Sequence, residues 1–347
     1  MFYIRQLSTI SPQLTFLNDD LEQLNTSSDN KLKAIEPSYE EIPRNILRRM
    51  GKAVRISVGA ALPLLKSSPH LDGIIIGTAN GGMEDCVKFM NEIIQYDEGL
   101  LSPGNFVQST PNGLAAQIAL LQNNKGYNIT HVHRGLSFEN AMIDAALMLR
   151  ENPEAIYLLG AVDEISAYNY NVDFLDGWYK HQTVSNKELY NTDSPASIAG
   201  EGAAMFLVSA QKTNTLARVL ALQTVHGNDM ELVLSKLKKM IAAELMCQWP
   251  DILITGENGD NRLLSTYETV EALLPEDTLV LRFKHMTGEY PTASSQALGL
   301  ACHLLTTQTF PKHMIKKRSS KTNYKTVLIY TNYKGMQHSL MIVSLGE

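Results

Sequence analysis

Four local arrangements in the sequence could carry chemistry. Gly77-Thr78-Ala79-Asn80-Gly81-Gly82 follows a strand-like run and opens a helical window, a setting in which backbone amides can cradle a phosphate. It lacks both the GxGxxG spacing and a Walker lysine–serine pair, so a tight strand-to-helix turn is the competing reading. His131-Val132-His133 places two imidazoles on one face of a strand, because side chains alternate there. A metal would need further ligands, and no cysteine or acidic pair stands at suitable spacing; two packed histidines are the alternative. Arg134-Gly135-Leu136-Ser137 joins a buried strand to an amphipathic helix. At such an elbow α/β enzymes display a nucleophile near the positive end of the helix dipole. The elbow holds no thiol, and Ser137 is either a nucleophile or a helix N-cap. Cys86, Cys247 and Cys302 are an odd, scattered set. They imply a reducing compartment and packed thiols rather than disulfides or a zinc site.

The elements that must position these residues alternate along the chain. Strands are expected at Phe2–Leu7, Leu71–Gly77, Asn128–His133, Ala155–Gly160 and Ala203–Ser209, with helices at Pro43–Leu65, Gly82–Tyr96 and Ser137–Arg150. In the last, Phe138, Ala141, Met142, Ala145, Ala146 and Leu149 share one face. After Ser209 the order starts again. Strands at Ala217–Thr224, Ile252–Thr255, Thr278–Phe283, Thr326–Tyr330 and Ser339–Val343 enclose helices at Met230–Met246, Leu263–Leu274 and Thr292–Leu305. Each half reads βαβαβαββ, which predicts largely parallel sheets covered by helices in an α/β/α/β/α layered body. The division falls near residue 211, giving halves 1–211 and 212–347. Ser8–Glu41 reads as polar loop, Ser166–Ala199 as an aromatic excursion over a site or interface, and Thr306–Asn323 as an exposed basic loop.

The 347 residues are 44% hydrophobic and 19% charged, an ordinary globular composition. Thirty basic residues against 36 acidic ones give −6, which argues against nucleic acid or anionic lipid as a general partner. No apolar run approaches the roughly 20 residues needed to cross a bilayer, and Met1–Ser11 lacks a signal-peptide core. A cytoplasmic protein is expected, with neither metal nor cofactor.

Six landmarks in order carry a family resemblance: Arg48-Arg49-Met50; the Gly77–Gly82 loop; Ser102-Pro103, Phe106 and Ser109-Thr110-Pro111-Asn112; Gly160-Ala161-Val162-Asp163-Glu164; Gly200-Glu201-Gly202-Ala203-Ala204-Met205; and Lys284-His285-Met286-Thr287-Gly288-Glu289. Together they resemble β-ketoacyl-acyl-carrier-protein synthases, over the whole chain but with shortened loops. The resemblance implies the duplicated thiolase fold.

Active members of that family carry a Cys-His-His triad, and here the chain departs from the pattern. The elbow cysteine maps to about Gly135, give or take one residue. The first histidine maps to Glu257, or to Asn258 with a one-residue shift, and the second to Glu289, with Lys284 retained. Glycine cannot hold an acyl thioester, and a carboxylate cannot donate to an enolate as imidazole does. The resemblance therefore implies a chain length factor, the non-condensing partner of an active ketosynthase in a type II polyketide, aryl-polyene or fatty-acid-like pathway. An acyl carrier protein would act through the complex. Phe106, Gln108, Ser109, Thr110, Asn112 and Leu114 are the expected tunnel and interface residues. The alternatives are an acyltransferase or hydrolase using Ser137 or a Glu257/Glu289 acid–base pair beside Lys284, and a scaffold with a filled tunnel. A cysteine restored at Gly135 is expected to be a reactive thiol.

Overall fold

A computed structural model describes every residue except Asp19, Pro69, Leu100 and Glu347. The strands are β1 (Phe2–Ile10), β2 (Lys31–Leu32), β3 (Gly73–Gly77), β4 (Tyr127–His131), β5 (Ile156–Asp163), β6 (Ala199–Gly200), β7 (Gly202–Ser209), β8 (Ala217–His226), β9 (Ile252–Thr255), β10 (Leu279–Arg282), β11 (Ile315–Lys317), β12 (Thr326–Tyr333) and β13 (Gln337–Leu345). The helices are α1 (Arg44–Leu47), α2 (Lys52–Ser67), α3 (Met83–Gln95), α4 (Pro103–Gln108), α5 (Gly113–Gln122), α6 (Ser137–Glu151), α7 (Ala167–Leu175), α8 (Met230–Glu244), α9 (Asn261–Glu271), α10 (Lys284–Thr287) and α11 (Ser294–Thr307).

The duplicated order is present in the topology as well as in the chain. In the first half the strand order is β4-β3-β5-β7-β1, and in the second β10-β9-β12-β13-β8. Both have three parallel strands followed by two antiparallel ones. Antiparallel pairing of β1 with β8 joins them into one 11-stranded sheet, with β11 added at one end and β4 forming the other margin among the described residues. The turn between β7 and β8 contains residue 211.

Three apolar cores separate the layers. On the outer side of the first half, α2 and α5 bury Ile56, Val58, Leu114 and Ile118 against Ile74, Ile76 and Leu158. Between the halves, α6 and α11 bury Phe138, Met142, Leu298 and Leu304 against both sets of strands. On the far side α8 and α9 bury Leu237, Tyr267 and Val270 against Leu253, Leu328 and Tyr330. This is the expected α/β/α/β/α layering. It works because β3, β9 and β12 are apolar on both faces and can be covered twice.

Several local expectations change. The helix predicted over Pro43–Leu65 is two helices, interrupted at residues 48–51 before Gly51 caps α2. The polar Ser8–Glu41 stretch contains the short strand β2, paired with β6. The basic loop Thr306–Asn323 contains the edge strand β11, whose lysines suit a sheet margin. Cys302 is buried and Cys86 half-buried, but Cys247 is exposed just after α8, so it is not packed.

Candidate functional site

The elbow is built by β4, a 3₁₀ turn over Arg134–Leu136 and α6. The residue strained there is Arg134, with φ +49°, the backbone state that a nucleophile elbow imposes. Gly135 lies one residue further, buried, where a Cβ would lie 2.6 Å from Tyr333 Cγ and closer still to its Cβ. Its N–H donates to Gln337 Oε1 at 2.8 Å. A side chain displayed at this elbow is therefore carried by Arg134, and the expectation of an accessible thiol at Gly135 fails on sterics. Ser137 is fully buried; its Oγ donates to Arg134 O at 2.8 Å and accepts from His133 N at 2.7 Å. It ties the 3₁₀ turn to α6 rather than capping the helix, and its hydroxyl is committed on both sides.

The other two triad positions separate. Glu289 is placed by a parallel bridge to Ala199, with Glu289 N donating to Ile198 O and Gly200 N to Glu289 O. The close approach requires Gly200 and Gly288, the latter at φ +73°. The Glu289 carboxylate accepts from Lys284 Nζ and from Asn258 Nδ2, each at 2.8 Å. Glu257 turns away to Arg282, 3.2 Å, and Lys316, 2.5 Å. The geometry thus brings Asn258 rather than Glu257 to Glu289, and the proposed Glu257/Glu289 acid–base pair does not assemble. Lys284 is 2% exposed, so the ion pair with Glu289 neutralises a buried ammonium.

Two carboxylates that the sequence reading did not single out as site residues support this region. Asp163 accepts from Thr78 Oγ1, Ala79 N and Asn80 N on one oxygen, and from Thr292 N and Oγ1 on the other. The amides at the head of the Gly77–Gly82 loop therefore serve Asp163, which cross-links the halves, and are not left for a phosphate. Gly77 is a glycine because Ser137 O would lie 2.6 Å from a Cβ. Glu139 on α6 is fully buried, with neither oxygen hydrogen-bonded, close to the Ser294 and Ser339 hydroxyls and to the Lys284 charge. Burial pushes its pKa up to about 7. Its sequence signal was available: Glu139 precedes Met142 by three residues on the apolar face of α6.

Arg134 opens into a cavity of about 790 Å³, also bounded by Asn80, Met83, Val87, Val132, Val172 and Tyr333 among others. The predicted aromatic excursion supplies one wall through α7, where Tyr170 stacks on Tyr179. His131 pairs with Asp144 at 2.8 Å, whereas His133 is exposed and hydrogen-bonds Asn140. The two histidines do not pack together, and among the described residues no three potential ligands could hold a metal.

The predicted tunnel segment forms α4 and the start of α5. Phe106, Thr110 and Asn112 are exposed, and Gln108 and Ser109 half-buried. Gln108 ties this segment to α2 by accepting from Gly51 N and donating to Arg49 O. Leu114 differs: it is 1% exposed and packs in the outer core, away from the exposed part of the segment. No described helix is long and apolar enough to cross a membrane.

Residues 22–184 match the family model "Beta-ketoacyl synthase, N-terminal domain". No curated protein sequence matches the chain. Among solved structures, a beta-ketoacyl synthase from Burkholderia phymatum STM815 superposes with a TM-score of 0.78 at 12% identity, covering 99% of each chain. A ketosynthase in complex with its chain length factor from Xenorhabdus doucetiae gives 0.76 at 14%, covering 99% of this chain and 98% of that one. The ishigamide ketosynthase/chain length factor gives 0.74 at 17%, covering 99% of each. Residues 22–184 thus match the beta-ketoacyl synthase family, and the whole chain carries the thiolase-like fold of ketosynthase structures.

Proposed function

We propose that the chain is a non-condensing, ketosynthase-like subunit of the chain length factor type, with halves 1–211 and 212–347, that pairs with an active ketosynthase and limits acyl growth. The observation that carries this reading is the elbow, where Arg134 occupies the strained position and Tyr333 closes over Gly135. No thiolate stands there to hold a thioester. The Gly135 amide, which could otherwise face an oxyanion, is already taken by Gln337. The Asn258–Glu289–Lys284 cluster offers an ion pair in place of imidazoles. The edge of β4, which no described strand pairs on its outer side, together with exposed Phe106, Val107 and Leu120, supports pairing through a continued sheet. The likeness to structures of a ketosynthase with its chain length factor agrees with it. The pathway would be of type II polyketide, aryl-polyene or fatty-acid-like chemistry, with an acyl carrier protein delivering substrate to the complex. The hydrolase or acyltransferase reading has no support in the geometry, because Ser137 is sealed and Glu257 is turned away.

Co-expression with a ketosynthase of such a pathway, followed by sizing, tests this. One heterodimeric peak is expected, with product length altered by Phe106→Ala. Two soluble, separate homodimers would contradict it.

A further inference from the structure

The cavity at the elbow has a chemistry of its own. The Arg134 guanidinium, exposed at its wall, makes no hydrogen bond or ion pair with any described residue. The remaining formal charges beside it cancel: Asp173, also in the lining, is paired with Lys334 at 2.5 Å. With histidines counted as neutral, the local balance is a single positive charge. Met83, Val87, Val132 and Val172 add aliphatic surface to the lining. A volume of about 790 Å³ is in the range of small-molecule sites, which combine apolar walls with a few orienting polar groups.

We propose that this cavity binds a monocarboxylate with an aliphatic tail, the carboxylate held by Arg134 and the tail lying along Met83, Val87, Val132 and Val172. A guanidinium fork matches a planar carboxylate with two parallel hydrogen bonds. One unpaired cation suits a monoanion, and a phosphate dianion would leave charge unmatched because Lys334 is committed to Asp173. The binding uses this chain's own residues and does not rest on its pairing with a ketosynthase.

The test is calorimetric titration of the purified full-length chain with octanoate, octanamide and inorganic phosphate at pH 7.5. Octanoate should bind saturably, and octanamide at least tenfold more weakly. Arg134→Gln and Arg134→Asn should each weaken octanoate at least tenfold with an unchanged melting temperature; asparagine tolerates the left-handed backbone, so the second variant keeps the test open if the first misfolds. Absence of saturable octanoate binding, unchanged affinity in the folded variants, or displacement of octanoate by equimolar phosphate would overturn the proposal.

Discussion

Replacing Glu139 by glutamine should make stability depend differently on pH. The side chain is fully buried on α6, with neither oxygen hydrogen-bonded. Its pKa is pushed up to about 7 from an ordinary carboxyl value of 4.5, chiefly by burial, with the Ser294 and Ser339 hydroxyls and the Lys284 charge easing the rise. The folded state therefore holds its proton more tightly than the unfolded state. Stability attributable to this group is complete below pH 4.5 and is lost as pH rises towards 7. Integrating over the two pKa values, the loss is about 1.4 kcal/mol at pH 5.5 and about 3 kcal/mol at pH 8. Glutamine does not titrate, so the advantage of Glu139→Gln over wild type should grow by about 2 kcal/mol between those pH values. Urea unfolding of both proteins at pH 5.5 and pH 8 measures it directly. A difference constant within 0.5 kcal/mol, roughly the scatter of additive mutational effects, would mean that Glu139 is ionised throughout. The reasoning from burial would then be wrong.

Other outcomes follow from the same geometry. Glu289→Ala strands the buried Lys284 ammonium and should destabilise by about 3–5 kcal/mol; Lys284→Met added to it should recover part of the loss, as read by denaturant midpoint. Arg134→Cys should react with iodoacetamide, because the elbow displays that position, whereas Gly135→Cys should be unreactive and about 1–3 kcal/mol less stable through its overlap with Tyr333. Asp163→Asn replaces acceptors used by five donors across the two halves and should lower stability by at least 2 kcal/mol in thermal unfolding, the order expected when buried donors lose their partner.

The element order was readable because hydrophobic periodicity carried it. The expected Ser137–Arg150 helix and the observed Ser137–Glu151 differ by one residue, and the apolar runs of β3 and β9 announced doubly covered strands. Tertiary effects escaped the reading. The elbow residue is decided by a backbone dihedral and by Tyr333, 198 positions away from Gly135, so the one-residue ambiguity between Arg134 and Gly135 had no local signal. The same holds for Glu257 and Asn258, which are adjacent in sequence but point to different partners, Lys316 and Glu289. The lysines of β11 hid a strand because edge strands carry charge. Leu114 was grouped with the tunnel and interface residues by its neighbours in sequence, and helical geometry turns it into the outer core.

The central claim is that this elbow performs no condensation, and it is tested most directly by incubating the chain alone with malonyl-carrier protein and an acyl thioester. Carbon dioxide release and intact protein mass are followed together. Release at the background rate with no acyl adduct is the predicted result. Rapid decarboxylation, or a stable acyl adduct on the wild-type chain, would contradict it.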